Sequence, residues 1–438
     1  DSWEEVNLFK ISQDKPKSFV DGDWIESPYI TNEGIRLIQT GNIGIGEFKD
    51  RNRKFISKES FKKLNCTEVF PGDILVCRLA EPIGRACIVP DLGQRYITSV
   101  DVSILRISDS YSKFYIYQFL NTDKFLKSAE LLSGGSTRQR ISRINLGNIS
   151  FKVPPLPQQR KIAEILTTCD TVIAETEAAI AKYEALKQGL MHDLFTRGID
   201  LNTGKLRPTY QKAPELYKET ELGWIPKEWE VGKFIDFADP RINRSFTGGP
   251  FGSDLQTKHY TKEGVRIIQL QNIGDGHFKN DYKIYTSEER ANYLIACNIY
   301  PGEIILSKMA EPIARACIIP SYSERYLMAS DGIRLSIDKR NYNTRFVLET
   351  INQKRFRSIA EVRSTGTTRS RIGLTELKEI PVSYPNLKEQ NLIGQRLDTL
   401  MRKIENEQKS LEKYQKLKAG LMQDLLSGAV GVEELVEA

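Results

Sequence analysis

The chain spells most of itself twice. NEGIRLIQTGNIGIGEFKD (32–50) returns as KEGVRIIQLQNIGDGHFKN (262–280), and VFPGDILVCRLAEPIGRACIVP (69–90) as IYPGEIILSKMAEPIARACIIP (299–320), both at an offset of 230. GSTRQRI (135–141) returns as GTTRSRI (366–372) and KYEALKQGLMHDL (182–194) as KYQKLKAGLMQDL (413–425), both at 231. One inserted residue across that distance means that the two halves share one fold. An active site is usually built once. A binding surface is built twice when its target has two copies of something.

Each half has two parts. The first, about 150 residues, is rich in Gly, Asn, aromatic and β-branched residues. Alternation in IRLIQ and VRIIQ, and apolar runs such as DILVCRL and RACIVP, read as short strands; Pro71-Gly72 and Pro301-Gly302 mark turns. SKFYIYQFLNTDKFLKSAELL (112–132) reads as one amphipathic helix. The second part is a long helix, after VPPLP (153–157) in one half and SYPNL (383–387) in the other, with no Pro or Gly in 158–188 or 395–419. Its apolar positions recur every three or four residues: Ile162, Leu166, Cys169, Ile173, Thr176, Ile180, Tyr183, Leu186, Leu190 and Leu194. Adding 231 gives a second such row, with eight of ten pairs identical or Ile-for-Leu swaps. This predicts a coiled-coil seam, with helix-on-helix pairing favoured over packing of each helix on its own domain. Thr176 and Glu407 form a polar layer that could fix register. The stretch 197–231 is polar, carries Gly and Pro, and reads as a linker.

At 438 residues the chain is too long for one ordinary domain, and 40% apolar with 27% charged residues describes a globular protein with ample core. No run of 18 apolar residues predicts a membrane span. The chain opens on Asp where an unprocessed chain would carry Met, and DSWEEVNLFK lacks a signal-peptide pattern, so the expected location is the cytoplasm. Six cysteines without a CxxC and three histidines (His192, His259, His277) make a poor metal-ligand set. Cys87 and Cys317 sit at equivalent places inside apolar runs and read as buried strand thiols. A net charge of +6 tolerates nucleic acid without demanding it.

PPLPQQRKIAEIL (154–166), GLMHDLFTRGID (189–200) and ELGWIPKEWEV (221–231) together resemble the specificity subunit of Type I restriction–modification systems. The resemblance covers essentially the whole chain and is most specific in the helices; YPNLKEQNLIGQRL (384–397) departs from it in lacking the PPLP run. It implies an α+β fold: two α/β target recognition domains joined by two long helices in an antiparallel coiled coil, an internal pseudo-twofold repeat. The boundaries read as recognition domain 1–155, spacer helix 156–198, linker 199–225, recognition domain 226–386, spacer helix 387–427 and tail 428–438. It also implies a subunit without catalysis that binds double-stranded DNA, each domain reading half of a two-part target. Two adenine methyltransferase subunits dock on it, carrying S-adenosylmethionine, and two restriction subunits using ATP and Mg can join. No cofactor or metal is expected in this chain itself.

The residues agree on catalysis. There is no NPPY-type methylase motif, no glycine-rich S-adenosylmethionine loop and no GxxxxGK[ST] loop, and no Ser/His/Asp or Cys/His set repeats. His192, which becomes Gln423 in the copy, reads as an exposed helix residue. For DNA contact, GGSTRQRISR and TGTTRSRIGL combine Arg, hydroxyls and glycine, a composition that suits phosphates. They nominate Thr137, Arg138 and Arg140 with Thr368, Arg369 and Arg371; the bland alternative is a solvated turn. Arg78 and Arg85, with Lys308 and Arg315, flank the AEPI loop as further candidates, and Glu81 and Glu311 could pair with that Arg or accept from cytosine. Asn42 and Asn272 read mainly as framework. The near identity of the AEPI and TR-R loops raises the expectation of partly alike, inverted half-sites, unless reading is carried by the unlike segments 25–32 and 245–260. Two other classes compete: a coiled-coil protein scaffold, and a self-contained nuclease or methylase.

Overall fold

A computed structural model describes residues 3–12, 17–135, 138–309, 312–366 and 370–436. The chain divides into two units, residues 1–179 with 407–438, and residues 180–406. Both boundaries fall inside the long helices.

In the first unit, one antiparallel sheet orders Phe19–Asp21, Val102–Leu105, Ile74–Cys77 and Ala86–Ile88. A second sheet orders Ile30–Thr31, Lys54–Ile56, Ile35–Ile38 and Tyr96–Thr98, the last pair parallel. The second unit repeats both sheets in the same register: Ile74 faces Leu105 as Ile304 faces Leu335, and Arg36 faces Tyr96 as Arg266 faces Tyr326. It adds one strand, Asn298–Ile299, beside Tyr326–Met328. The IRLI and VRII strands form as expected, but they are buried along their whole length. Arg36 is 0% exposed. Its guanidinium reaches Asp50 and the Arg51 carbonyl and lies over Phe55. A side chain that reads as the polar face of an alternating strand is here taken inside the domain, paired through one terminal nitrogen while its Nε and other terminal nitrogen are buried without a hydrogen-bond partner.

The stretch 112–132 is two helices, Lys113–Leu120 and Asp123–Leu131. Thr122 ends the first and caps the second, its hydroxyl accepting from the Phe125 N–H at 3.3 Å. A β-branched hydroxyl residue inside an apolar period is a cap signal, and here it outweighs the period. The copy breaks at Gln353, between Thr344–Asn352 and Lys354–Val362.

The long helices run Leu156–Thr196 and Leu387–Ser427, 41 residues each. In both, one glutamine ties the first turn to the preceding globular domain. Gln159 accepts from the Ser112 N–H at 2.9 Å and donates to the Pro154 carbonyl at 2.7 Å. Gln390 accepts from Asn343 at 2.9 Å and donates to Pro385 at 2.8 Å. The missing PPLP run therefore leaves this joint intact. Within the first unit the helix segments run antiparallel: Ile162 and Leu166 share a core with Leu425 and Leu426, while Asp170 pairs with Lys418, one or two turns back along the second helix. In the second unit Leu194 shares a core with Ile393 and Leu397. The seam is uneven. Leu186 and Leu417, at equivalent positions, are 51% and 52% exposed, since a single pair of helices can cover only one stripe of each. Buried Thr176 donates its hydroxyl to the Val172 carbonyl of its own helix at 2.7 Å.

The stretch 197–231 is folded rather than a loose linker. Tyr217–Thr220 and Gly223–Pro226 make a hairpin, and Trp229 is fully buried. Arg207 grips Glu389 with both terminal nitrogens at 2.6 and 2.9 Å, and Glu389 also accepts from the Ile199 N–H and the Trp229 indole. Gly198, at φ 65°, makes the turn beneath them, where any side chain would strike Glu389 and Arg207. Single charged residues in a polar stretch cannot announce a partner 182 positions away.

Candidate nucleic-acid interface

The repeated loops converge on one rim in each unit. After the IRLI strand the chain turns at Gln39–Asn42. Buried Asn42 holds this turn: its oxygen accepts from the Gln39 N–H at 2.9 Å, and its amide donates to the Lys49 and Arg51 carbonyls at 2.9 and 2.7 Å. Asn272 does the same with Gln269, Lys279 and Tyr282. These two are framework, as their pattern indicated.

Arg85 braces the turn from the AEPI side. Its guanidinium donates to four carbonyls: Ile43 at 2.7 Å, Ala80 at 2.8 Å, Pro82 at 2.9 Å and Thr40 at 3.0 Å. Arg315 donates to the equivalent carbonyls of Ile273 at 2.6 Å and Leu270 at 2.8 Å, and burial pushes its pKa down. Arg85 thus engages backbone and not Glu81. Ala310 and Glu311 lie outside the described residues. Five donors in a rigid fork suit a cluster of carbonyls as well as they suit a phosphate. The AEPI repeat is explained by this brace: both copies need the arginine at the same place under the same turn.

Arg78 is buried too. It donates to the Ile141 carbonyl at 3.1 Å and the Val100 carbonyl at 2.5 Å, and stands 3.2 Å from the Asp21 carboxylate. Burial lowers its pKa and Asp21 partly restores it. Lys308, its counterpart, keeps the backbone role, donating its N–H to the Asp331 carbonyl at 2.7 Å as Arg78 does to Asp101 at 2.8 Å. Its half-buried side chain makes no ion pair among the described residues. In the free chain, then, Arg78, Arg85 and Arg315 are engaged with backbone carbonyls, Arg78 and Arg85 buried and Arg315 half-buried.

The TR-R loops are presented. Gly134 and Arg140 exchange backbone hydrogen bonds at 3.0 and 2.9 Å, and Thr365 and Arg371 repeat this at 2.9 and 2.8 Å. Arg138 is exposed. Half-exposed Arg140 pairs with Asp101 at 2.8 Å, and Arg371 pairs with Asp331 in the same way. Thr137, Thr368 and Arg369 lie outside the described residues.

Asp101 also lines an open groove of about 310 Å³ in the first unit. Its lining comes from Asp23–Ile25, the Gln39–Asn42 turn, Asn52 and Ser99–Asp101. The groove thus joins the loop singled out for its arginines to the unlike segment 25–32. Its amide, hydroxyl and carboxylate groups can donate and accept at once, the chemistry needed to read base edges. Asp101 and Asp331 escaped sequence reasoning although their offset of 230 was available as a signal. Trp24 escaped because its partner in the copy sits at a different offset. Away from the rim, burial pushes the Cys87 and Cys317 thiols up to about 12, as expected for inert strand thiols. Exposed His192 sits on the first long helix. Among the described residues no group of three or more His, Cys, Asp or Glu is arranged to hold a metal, and no helix is long and apolar enough to cross a membrane.

Known proteins resemble this chain in sequence and fold. The Type I restriction modification DNA specificity domain matches residues 7–185 and 256–415. The Type I restriction enzyme MjaVIII specificity subunit of Methanocaldococcus jannaschii is 24% identical over 334 residues, covering 75% of this chain and 72% of that one. The MjaIX specificity subunit of the same organism is 25% identical over 434 residues, covering 96% and 90%. Among solved structures, the S subunit of the Type I restriction–modification system from M. genitalium superposes with a TM-score of 0.59 at 15% identity, covering 97% of this chain and 96% of that one. At that identity the likeness establishes the fold alone: two repeated domains and two long helices.

Proposed function

This chain belongs to the Type I restriction–modification DNA specificity family, and from that premise we propose that it reads a two-part DNA sequence on behalf of enzymes that dock on it. The observation that carries the reading is the repeated rim: Arg140 on Asp101 and Arg371 on Asp331, each on a hydroxyl- and arginine-bearing loop, with a polar groove beside the first. Arg138, exposed and without an ion partner among the described residues, is the phosphate contact of the first loop. Arg369 is its counterpart. Phosphate contacts fix register; the groove reads bases. Lys308 adds a second cation at the other rim.

The chain performs no chemistry itself in this reading. Methylation belongs to two adenine methyltransferase subunits that bring S-adenosylmethionine, and cleavage to restriction subunits that bring ATP and Mg. Exposed Leu186 and Leu417 support docking along the helices, since paired leucines left in water on equivalent helix faces offer apolar anchors to a partner.

The test is co-expression with the methyltransferase of the same system, followed by mapping of methylated adenines and binding titrations at several salt concentrations. Arg138→Ala and Arg369→Ala should each weaken binding without changing the sequence methylated, and lower the salt slope by about one unit. Methylation of new sequences by either variant would show that the residue reads bases.

A further inference from the structure

Trp24 is 71% exposed and Phe251 82%. Each stands two residues after a glycine fixed to the same point of its sheet. Gly22 donates its N–H to the Val102 carbonyl at 2.9 Å, and Gly249 donates to the Gly332 carbonyl, 230 positions on, also at 2.9 Å. A side chain on Gly22 would strike the Ser99 carbonyl, and one on Gly249 the Ala329 carbonyl. The backbone is thus pressed against the same turn in both units, and each ring rises from a firm footing. Beyond that footing the two segments differ in sequence and length: Gly22 is followed eight residues later by the strand Ile30–Thr31, Gly249 eleven residues later by Tyr260–Thr261.

Single exposed apolar side chains are ordinary and need no cause. Here the exposure, the aromatic character and the topological place all recur where the surrounding sequence does not. Trp24 also lines the groove to which Gln39, Asn52 and Asp101 contribute hydrogen-bonding groups. A flat apolar ring beside polar groups matches an object with a flat face and a polar edge. A base pair is such an object, and its face becomes available where a step is opened.

We propose that Trp24 and Phe251 are wedge residues, each stacking on a base step of the half-site read by its own unit. The proposal rests on the DNA-reading function above. In it the glycine footing sets how far the ring reaches, and the unlike segments that follow set which step it opens.

The test uses the full chain with its methyltransferase partner and a duplex carrying the mapped site, with 2-aminopurine placed in turn at each half-site position. With the wild type, fluorescence should rise at one step in each half. Trp24→Ala should remove the rise in one half only and weaken specific binding roughly 5- to 150-fold, the range of one base–aromatic stack. Phe251→Ala should do the same in the other half. Trp24→Phe should restore signal and binding, which a mere loss of fold would not allow. If the wild type selects its site but both alanine variants bind and methylate like it, the wedge is overturned and DNA reading stands. A wild type that gives no 2-aminopurine rise, with Trp24→Ala still weakening binding, also overturns it, since the ring then packs on a groove edge. A wild type that does not distinguish the site from a scrambled duplex overturns both readings.

Discussion

The two recognition units solve the same structural problems with the same residues until they reach the places where they meet something else. Asn42 and Asn272 hold identical turns, Arg85 and Arg315 brace them, and Gln159 and Gln390 tie the helices on. They part at three points. Buried Arg78 becomes half-buried Lys308. Glu389, locked to Arg207, has Gln158 at the corresponding place in the first helix. The segment after the glycine footing is unlike throughout. Retained residues in a repeat report first on the scaffold, and function is better sought where the copies diverge over a common footing. Applied to AEPI, this removes one of the two motives for expecting alike half-sites, since the repeated arginine serves the turn beneath it; the alike TR-R loops remain the other.

The two units differ most in energy at the buried ion pair. Arg207→Ala leaves Glu389 buried and unpaired and should cost about 3–5 kcal/mol, read by urea unfolding and by hydrogen exchange around Leu194 and Ile393. Gln158→Ala should change stability by no more than about 0.5 kcal/mol. Comparable losses from both would mean that the helix joints are alike after all. Next come the braces. Arg85→Ala and Arg315→Ala strip donors from clustered carbonyls and should each destabilise by about 2–4 kcal/mol. A large loss in only one unit would show that the AEPI repeat is not explained by the brace. The smallest effect sharpens the point of divergence. Arg78→Ala should cost about 2 kcal/mol, whereas Lys308→Ala should cost well under about 1 kcal/mol and act on the salt dependence of DNA binding instead.

The repeat made the domain plan readable, because an offset of 230 carries from strand to strand without knowledge of the contacts. Short strands at ILVC and ACI and the long helices followed from run length and from the absence of Pro and Gly. The site was less readable. An arginine in a loop looks the same whether four carbonyls or a phosphate will receive it, and only the folded geometry of Thr40, Ile43, Ala80 and Pro82 decides. Asp101 and Trp24 come from segments remote from Arg140 in sequence and meet at the rim only through the sheet order. The helix break at Thr122 was legible as a cap and was masked by the apolar period around it.

The way the units are cut from the chain bears on how the protein is made. Residues 180–406 form one uninterrupted stretch, so that unit has all its parts once the ribosome has passed Asn406. The other unit does not. Leu425, Leu426 and Val432 close the core that contains Ile162 and Leu166, and these residues are made only after the whole of the 180–406 unit. The domain translated first is therefore completed last, against the usual order in which domains fold as they leave the ribosome. A chain stopped before residue 407 would hold every part of the 180–406 unit while still lacking Leu425, Leu426 and Val432 from the core of the other.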